Sequence, residues 1–598
     1  MPRVHYNDHL NVNQPKGEER VPWWNKDPET PPPFKLVRKL LLDDGSDLSL
    51  HSLAIFPWDD ESLSKLWGGA LNIEENVTKW KKEVVSEFWD SVAVGSDFNL
   101  YICFTHKVQQ PLCTILKDKQ KVLAADKMCV AWGLAKEAPY HPLVIFSRGS
   151  LIFIYSVVQK GISGCIRGHG GAITSISVHP TTPHLFCTTS RDFTTRIYDL
   201  GLPATFEMLP VGSNKNDKWS WSGVPNPPWP PGKGPSLAGA AHGLRLPFSV
   251  LQGTGEREGG GTGRCVSVLL GGRSAGHNSA VLASVRQFNV THVAEVPDEH
   301  SRAGFPPDPP TPRHLRIKIW PVRSTSEIEI NREDKPLLSS SMVHKSRVLS
   351  ISWLDSDLLL THSAPAIMRR FPDKTDDKTT YLEAGELIVW RWLGLDRFFP
   401  AGHERNTHGF RGCSLDYQES GSLKIVSIHR FPDVPNQYIT PSLSLFQSQT
   451  HDPLISYLYP GETSISLLPV TYMQSRPRPP FQCKTEKKLL GDPEVRTGNR
   501  TSLAEAAGRL HLAGLNTAEG EDDDDDAEEA IFEDEVNDEP VGAKGVEITP
   551  PGTNCRTISI DRRHLGGETL ENCAVGMNGQ VVVGVGTKGG VWVWRYRD

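Results

Sequence analysis

The sequence has no run of eighteen apolar residues, and its opening stretch MPRVHYNDHLNVNQ lacks an apolar core, so neither a membrane-spanning helix nor a secretory leader is expected. Its ten cysteines, from Cys103 to Cys573, include no CxxC pair and no zinc-type spacing. Reduced, structural thiols in a cytosolic or nuclear compartment follow. HExxH, GxSxG and the P-loop signature are missing as well. The glycine-rich stretch at 253–263, GTGEREGGGTG, neither follows a clear strand nor opens a helix, which argues against a nucleotide loop. No metal, no cofactor and no catalytic residue is expected. The 21 histidines are scattered, and His141, His169 and His179, in GH or HP pairs, read as structural.

What the chain does contain is one stretch with every device of a four-stranded propeller blade. Residues 165–200 read CIRGHGGAITSISVHPTTPHLFCTTSRDFTTRIYDL. Gly168-His169 closes an outer strand. From Ile173 to Val178 the residues alternate with the period of a strand, and His179-Pro180-Thr181-Thr182-Pro183 turns the chain. A further strand ends at Thr189, and Arg191-Asp192 turns into Thr195–Leu200. The spacing predicts a buried hydrogen-bonded chain of His169, Ser190 and Asp192, with Tyr198 where such a blade usually carries tryptophan.

A single blade cannot bury its own faces, so the pattern has to recur. Alternating apolar runs with aromatic ends mark Tyr101, Tyr155, Tyr198, Trp320, Trp390, Tyr459 and Trp594, in NLYICF, LIFIYSV, TTRIYDL, LRIKIWPV, ELIVWRWL, PLISYLYP and GVWVWRYRD. Seven such units predict an all-β fold, a seven-bladed WD40 β-propeller with long insertions. The last unit is one strand short, and residues 34–42, FKLVRKLLL, are expected to supply it, hiding an edge that would otherwise be open to pairing. The division is therefore an N-terminal extension at 1–33, blades one to six at 34–473, an insertion at 474–551, and a seventh blade at 552–598. Smaller insertions, rich in Pro, Gly and Trp at about 202–263 and in Pro at 297–312, read as extensions of blade four. Within 474–551, residues 519–540 (EGEDDDDDAEEAIFEDEVNDEP) hold 14 acidic residues and no basic one; without them the formal charge of −7 becomes +7. Such a run reads as solvated disorder, or as a tail for basic histone segments.

In their order, residues 88–104 (FWDSVAVGSDFNLYICF), 129–200, 348–354 (VLSISWL) and 581–598 (VVVGVGTKGGVWVWRYRD) resemble successive blades of the Eed/extra-sex-combs family, the WD40 subunit of Polycomb repressive complex 2. The resemblance covers about half the chain. It implies a non-catalytic nuclear scaffold that grips an N-terminal helix of a SET-domain histone H3 methyltransferase. Other Polycomb subunits and the H3 tail would be partners. Neither a membrane nor sequence-specific nucleic acid would be. Family members also carry an aromatic cage for trimethyl-lysine. Its four positions correspond here to Ser52 (or neighbouring His51), Met128, Lys424 and Ile425, none of them aromatic, the last two assigned to blade six. A degenerate cage is therefore expected. The alternative reading is another WD40 platform, a ubiquitin-ligase substrate receptor or a histone chaperone. An enzyme built on a propeller would need a polar cluster around the channel that the sequence does not display.

Overall fold

The structure is a computed structural model and describes residues 23–25, 32–42, 48–97, 99–107, 111–115, 127–167, 169–192, 194–203, 262–269, 280–287, 290–296, 317–322, 331–333, 336–369, 379–398, 420–447, 452–475, 555–560 and 566–597. The chain divides into a unit of 1–476 with 550–598 and a second unit of 477–549, which lies outside the described residues together with the acidic run. Strands dominate the first unit, in a β-propeller arrangement with few helices.

Seven sheets of four or five strands follow one another along the chain. The first joins Leu50–Ile55, Ser91–Ser96, Asn99–Phe104 and Leu112–Ile115 by successive antiparallel pairs. The others begin at Val130–Leu134, Ile173–Val178, Ala280–Gln287, Val348–Trp353, Ser442–Phe446 and Leu570–Gly576. These first strands adjoin one another from the first sheet to the fifth, from the sixth to the seventh, and from the seventh back to the first. Between the fifth and sixth, Gln447 Nε2 donates to the carbonyl of Trp353 at 2.6 Å. In the fourth sheet the side chains of Ala280–Gln287 and Val290–Val296 lie outside the described residues. Six blades, not the expected seven, therefore rest on described side chains in each of their strands. A separate two-stranded ribbon, Ala366–Arg369 with Thr380–Glu383, rises from the fifth sheet.

The strand Phe34–Leu41 pairs antiparallel with Gly590–Tyr596, Phe34 opposite Tyr596 and Leu41 opposite Gly590, and so forms the outer strand of the seventh sheet. The seam has two further ties. Asn572 Nδ2 donates to the carbonyl of His51 at 3.1 Å, and its Oδ1 accepts from Ser442 Oγ at 2.8 Å, so one amide links the sixth, seventh and first sheets. The short helical turn Trp23–Asn25 supplies the second. Trp24 is 1 % exposed and packs with Leu454, Leu467, Ile558 and Trp592, while Trp23 Nε1 donates to Gly579 O at 3.0 Å. The Arg556 guanidinium lies against the Trp23 ring and donates to its carbonyl. Residues assigned by sequence to a bare N-terminal extension are thus part of the core of the last two blades.

Three more expectations change. Tyr459 follows Leu454–Leu458, the second strand of the sixth sheet, and not the third, Ser464–Pro469, which carries Leu467 and Leu468 instead. The insertion at 202–263 falls between the third and fourth strands of the third sheet, Thr195–Pro203 and Thr262–Leu269, and not in blade four. The architecture is also not purely β. Between the first two strands of the first sheet run helical turns ending in Glu74–Lys79, Trp80–Val85 and Ser86–Phe88. Trp80, Val84 and Phe88, four residues apart, bury one face of that segment against the first two sheets. Trp67 clips the segment to the third sheet, its Nε1 donating to His184 Nδ1 at 2.8 Å and its backbone N to Thr181 O at 2.7 Å.

Candidate functional site

The third sheet contains the buried polar chain, though with one member exchanged. His169 Nδ1 lies 3.1 Å from Asp192 Oδ2, and its Nε2 lies 2.7 Å from Thr188 Oγ1. Ser190 does not sit on the imidazole. Its Oγ donates to Gly171 O at 2.9 Å and accepts from Asp192 N at 3.1 Å, so it shapes the turn that carries the carboxylate. Thr188 and Ser190 lie on one face of Leu185–Ser190, two residues apart, and the sequence pattern alone did not separate their roles. Thr194 is a second member the sequence reading missed. Its N and Oγ1 donate to Asp192 Oδ1 at 3.0 and 2.7 Å, while Gly170 N donates to Oδ2 at 2.8 Å.

The electrostatics suit a structural knot. Burial alone would raise the Asp192 carboxyl, but the His169 ring, the nearby Arg196 guanidinium and the Thr194 hydroxyl outweigh it and hold the group below its ordinary range. Burial pushes the His169 imidazole down, and the facing carboxylate pulls it only partly back. A neutral ring then donates from Nδ1 and accepts at Nε2. Tyr198 is buried with its ring stacked on Phe186 at 5.0 Å. Burial raises its phenol well above the usual value, so it stays protonated. Every group of this cluster is enclosed, which leaves no room for a substrate. Thr188→Val keeps the shape and leaves His169 Nε2 without its donor. It is expected to cost about 1–3 kcal/mol in chemical denaturation, and an unchanged midpoint would show that the threonine is not part of the knot.

The fifth sheet repeats the arrangement incompletely. His344 Nε2 meets Thr361 Oγ1 at 2.6 Å, in the same places relative to Trp390 that His169 and Thr188 hold relative to Tyr198. Where Asp192 stands two residues beyond Ser190, Pro365 stands two beyond Ser363. The buried Nδ1 of His344 accordingly has no hydrogen-bond partner among the described residues. Neighbouring His362 is buried too, its ring edge-on to Phe431.

The four positions matched to the methyl-lysine cage do not converge. Ser52, on the innermost strand of the first sheet, and Met128, just before the second, do meet: a Cβ on Gly95 would run into Ser52 Oγ and Met128 Sδ. Met128 is buried in the core, and Ser52 Oγ is enclosed without a hydrogen-bond partner among the described residues. Lys424 and Ile425 lie elsewhere, on Leu423–Arg430, the fourth strand of the fifth sheet, opposite Arg391 and Trp390. Their assignment to blade six is thus off by one sheet. Lys424 is exposed and Ile425 packs towards the fifth-sheet core. The neighbouring His51, on the same strand, has its Nε2 at 2.8 Å from Asp97 Oδ1. Among the described residues there is no group of three or more His, Cys, Asp or Glu side chains fit to hold a metal, and no helix long and apolar enough to cross a membrane.

No protein-family model and no curated protein matches the chain. Solved structures do. A chain of a humanized mutant of the Chaetomium thermophilum Polycomb Repressive Complex 2 bound to the inhibitor GSK126 aligns over 94 % of this chain and 97 % of its own, at 14 % identity and a TM-score of 0.48. A chain of apo ctPRC2 in an autoinhibited state aligns over 96 % and 99 %, at 12 % identity and a TM-score of 0.49. One from an active polycomb repressive complex 2 in the basal state aligns over 94 % and 97 %, at 12 % identity and 0.47.

Proposed function

We propose that this chain is the non-catalytic WD40 scaffold of a Polycomb repressive complex 2-like histone H3 lysine methyltransferase, acting in the nucleus in gene silencing. The observation that supports it most is one of order. The four stretches on which the Eed-like resemblance rests fall on strands of the first, second and third, fifth, and seventh sheets, in that sequence. The proposal includes the fourth sheet as a blade, giving a seven-bladed ring whose surface, and not an enclosed pocket, does the work. The partner would be the N-terminal helix of a SET-domain subunit, laid along the ring as an amphipathic helix in a groove. Affinity purification with mass spectrometry tests this. Recovery of a SET-domain methyltransferase is the expected outcome; recovery of a cullin adaptor or a histone-chaperone assembly in its place would favour the alternative platform.

The same reading carries a negative expectation for methyl-lysine. Ser52 and Met128, the two matched positions that the structure brings near each other, offer no aromatic face, and each desolvated cation–π contact is worth about 2 kcal/mol. Losing several moves a micromolar affinity out of useful range, at about 1.4 kcal/mol per factor of ten. Calorimetric titration with trimethylated and unmodified H3 peptides should therefore show no selective binding. Micromolar binding confined to the methylated peptide would mean that a cage is built from other residues.

A further inference from the structure

The ring closes on a pair of like charges. In the register of the two closing strands Lys35 stands directly opposite Arg595, an arrangement that destabilises a strand pair unless an anion lies nearby. More cations gather on the same side. Arg38 follows across the bulge after Leu36, its Nη1 donating to the carbonyls of Phe104 at 3.0 Å and Lys107 at 2.8 Å. Arg595 Nη2 donates to Thr105 Oγ1 at 3.0 Å, and Lys107 Nζ donates to the carbonyls of Ser86 and Glu87. Arg597, two residues beyond Arg595, is exposed. All these acceptors are neutral, so they orient the cations without cancelling their charge. Among the described residues, one carboxylate, Asp90, lies close enough to act on Arg595. It is 3 % exposed and already accepts from the backbone N of His106 and Lys107. Lys39, on the opposite face over Trp592, has its own partner in Glu568 at 3.7 Å.

We propose that this seam, built from Lys35, Arg38, Lys107, Arg595 and Arg597, is a binding stripe for the phosphate backbone of a nucleic acid, read without regard to sequence. The stripe follows the outermost strand pair: Arg595 and Arg597 are two residues apart, about 7 Å along a strand, Lys35 faces Arg595, and Arg38 lies beyond the bulge. Such a ladder of positive charge suits a polymer with evenly spaced single charges. The guanidinium forks match phosphate geometry, and Lys35 adds a point charge.

The test uses the full chain and a short random-sequence DNA duplex, with anisotropy read between about 50 and 200 mM salt. Binding should weaken linearly on logarithmic axes as salt rises. Lys35→Glu should reduce that slope by about 0.9 or more, one phosphate contact. In the same variant the melting temperature should hold or rise, because Glu would face Arg595 as an opposite charge. Lys35→Ala should lower the slope with a smaller thermal gain, since it removes the repulsion without adding an attraction. Reduced binding accompanied by a lower melting temperature in both variants would mean misfolding and overturn the assignment. So would an unchanged slope, absence of duplex binding at the lowest salt, or binding of polyglutamate in place of DNA.

Discussion

Lowering the pH from about 7 to about 5 is expected to strip the propeller of several kcal/mol of stability. Burial pushes the imidazoles of His344 and His362 down to about 3, and that of His429 to about 4. In the unfolded chain each titrates near 6.5. Between these limits the unfolded chain binds protons that the folded one refuses, so stability rises with pH across the interval. It is fully present above about pH 6.5 and is lost as the pH falls towards the folded values. Each histidine contributes a slope of up to about 1.4 kcal/mol per pH unit, and the blade-five pair about twice that. A domain stable by 5–15 kcal/mol cannot absorb this for long. Denaturant midpoints measured across this range should fall steadily. His362→Phe, which keeps a ring against Phe431, should flatten the profile by one histidine's share. Equal midpoints at both ends of the range would show that these rings are hydrated when protonated.

Replacing Trp24 by alanine should cost about 3–5 kcal/mol, as for other large aromatic side chains removed from a core. The indole is fully enclosed among aliphatic and aromatic residues of the sixth and seventh sheets, beside Trp23, and lies against Gly579, so its loss opens a cavity at the seam between the N-terminal turn and the last sheets. Thermal unfolding of Trp24→Ala should shift clearly, and truncation of residues 1–26 should reproduce the shift. A truncation without effect would mean that the turn packs on the ring without supporting it.

These two effects lie in places that sequence patterns treat unequally. The period-2 run at 34–41 and the aromatic-ended third strands announced themselves because a strand's two faces print directly onto alternate residues. Trp23 and Trp24 sit in a three-residue turn with no period to read, flanked by prolines and charged residues, and only their size hinted at burial. The helical stripe Trp80, Val84, Phe88 was legible in principle, but its polar neighbours resembled a loop between strands. In the knot, Thr188 and Ser190 are equally good hydroxyl donors on one strand face, and backbone geometry decides between them. Lys424 and Ile425 were misplaced for a related reason: the fifth sheet carries its fourth strand after a long interruption, and counting aromatic ends moved the boundary by one strand.

The pairing of Phe34–Leu41 with Gly590–Tyr596 also sets a timetable. The first of these strands leaves the ribosome roughly 550 residues before its partner, and at about 5–20 residues per second that separation lasts roughly 30–110 s. Throughout that interval the nascent chain carries a strand whose partner among the described strands has not been translated, while the intervening sheets are already able to form. Closing this sheet is therefore a long-range docking of two distant strands, slow by its loop length, and it invites a chaperone that shields one strand until the other arrives.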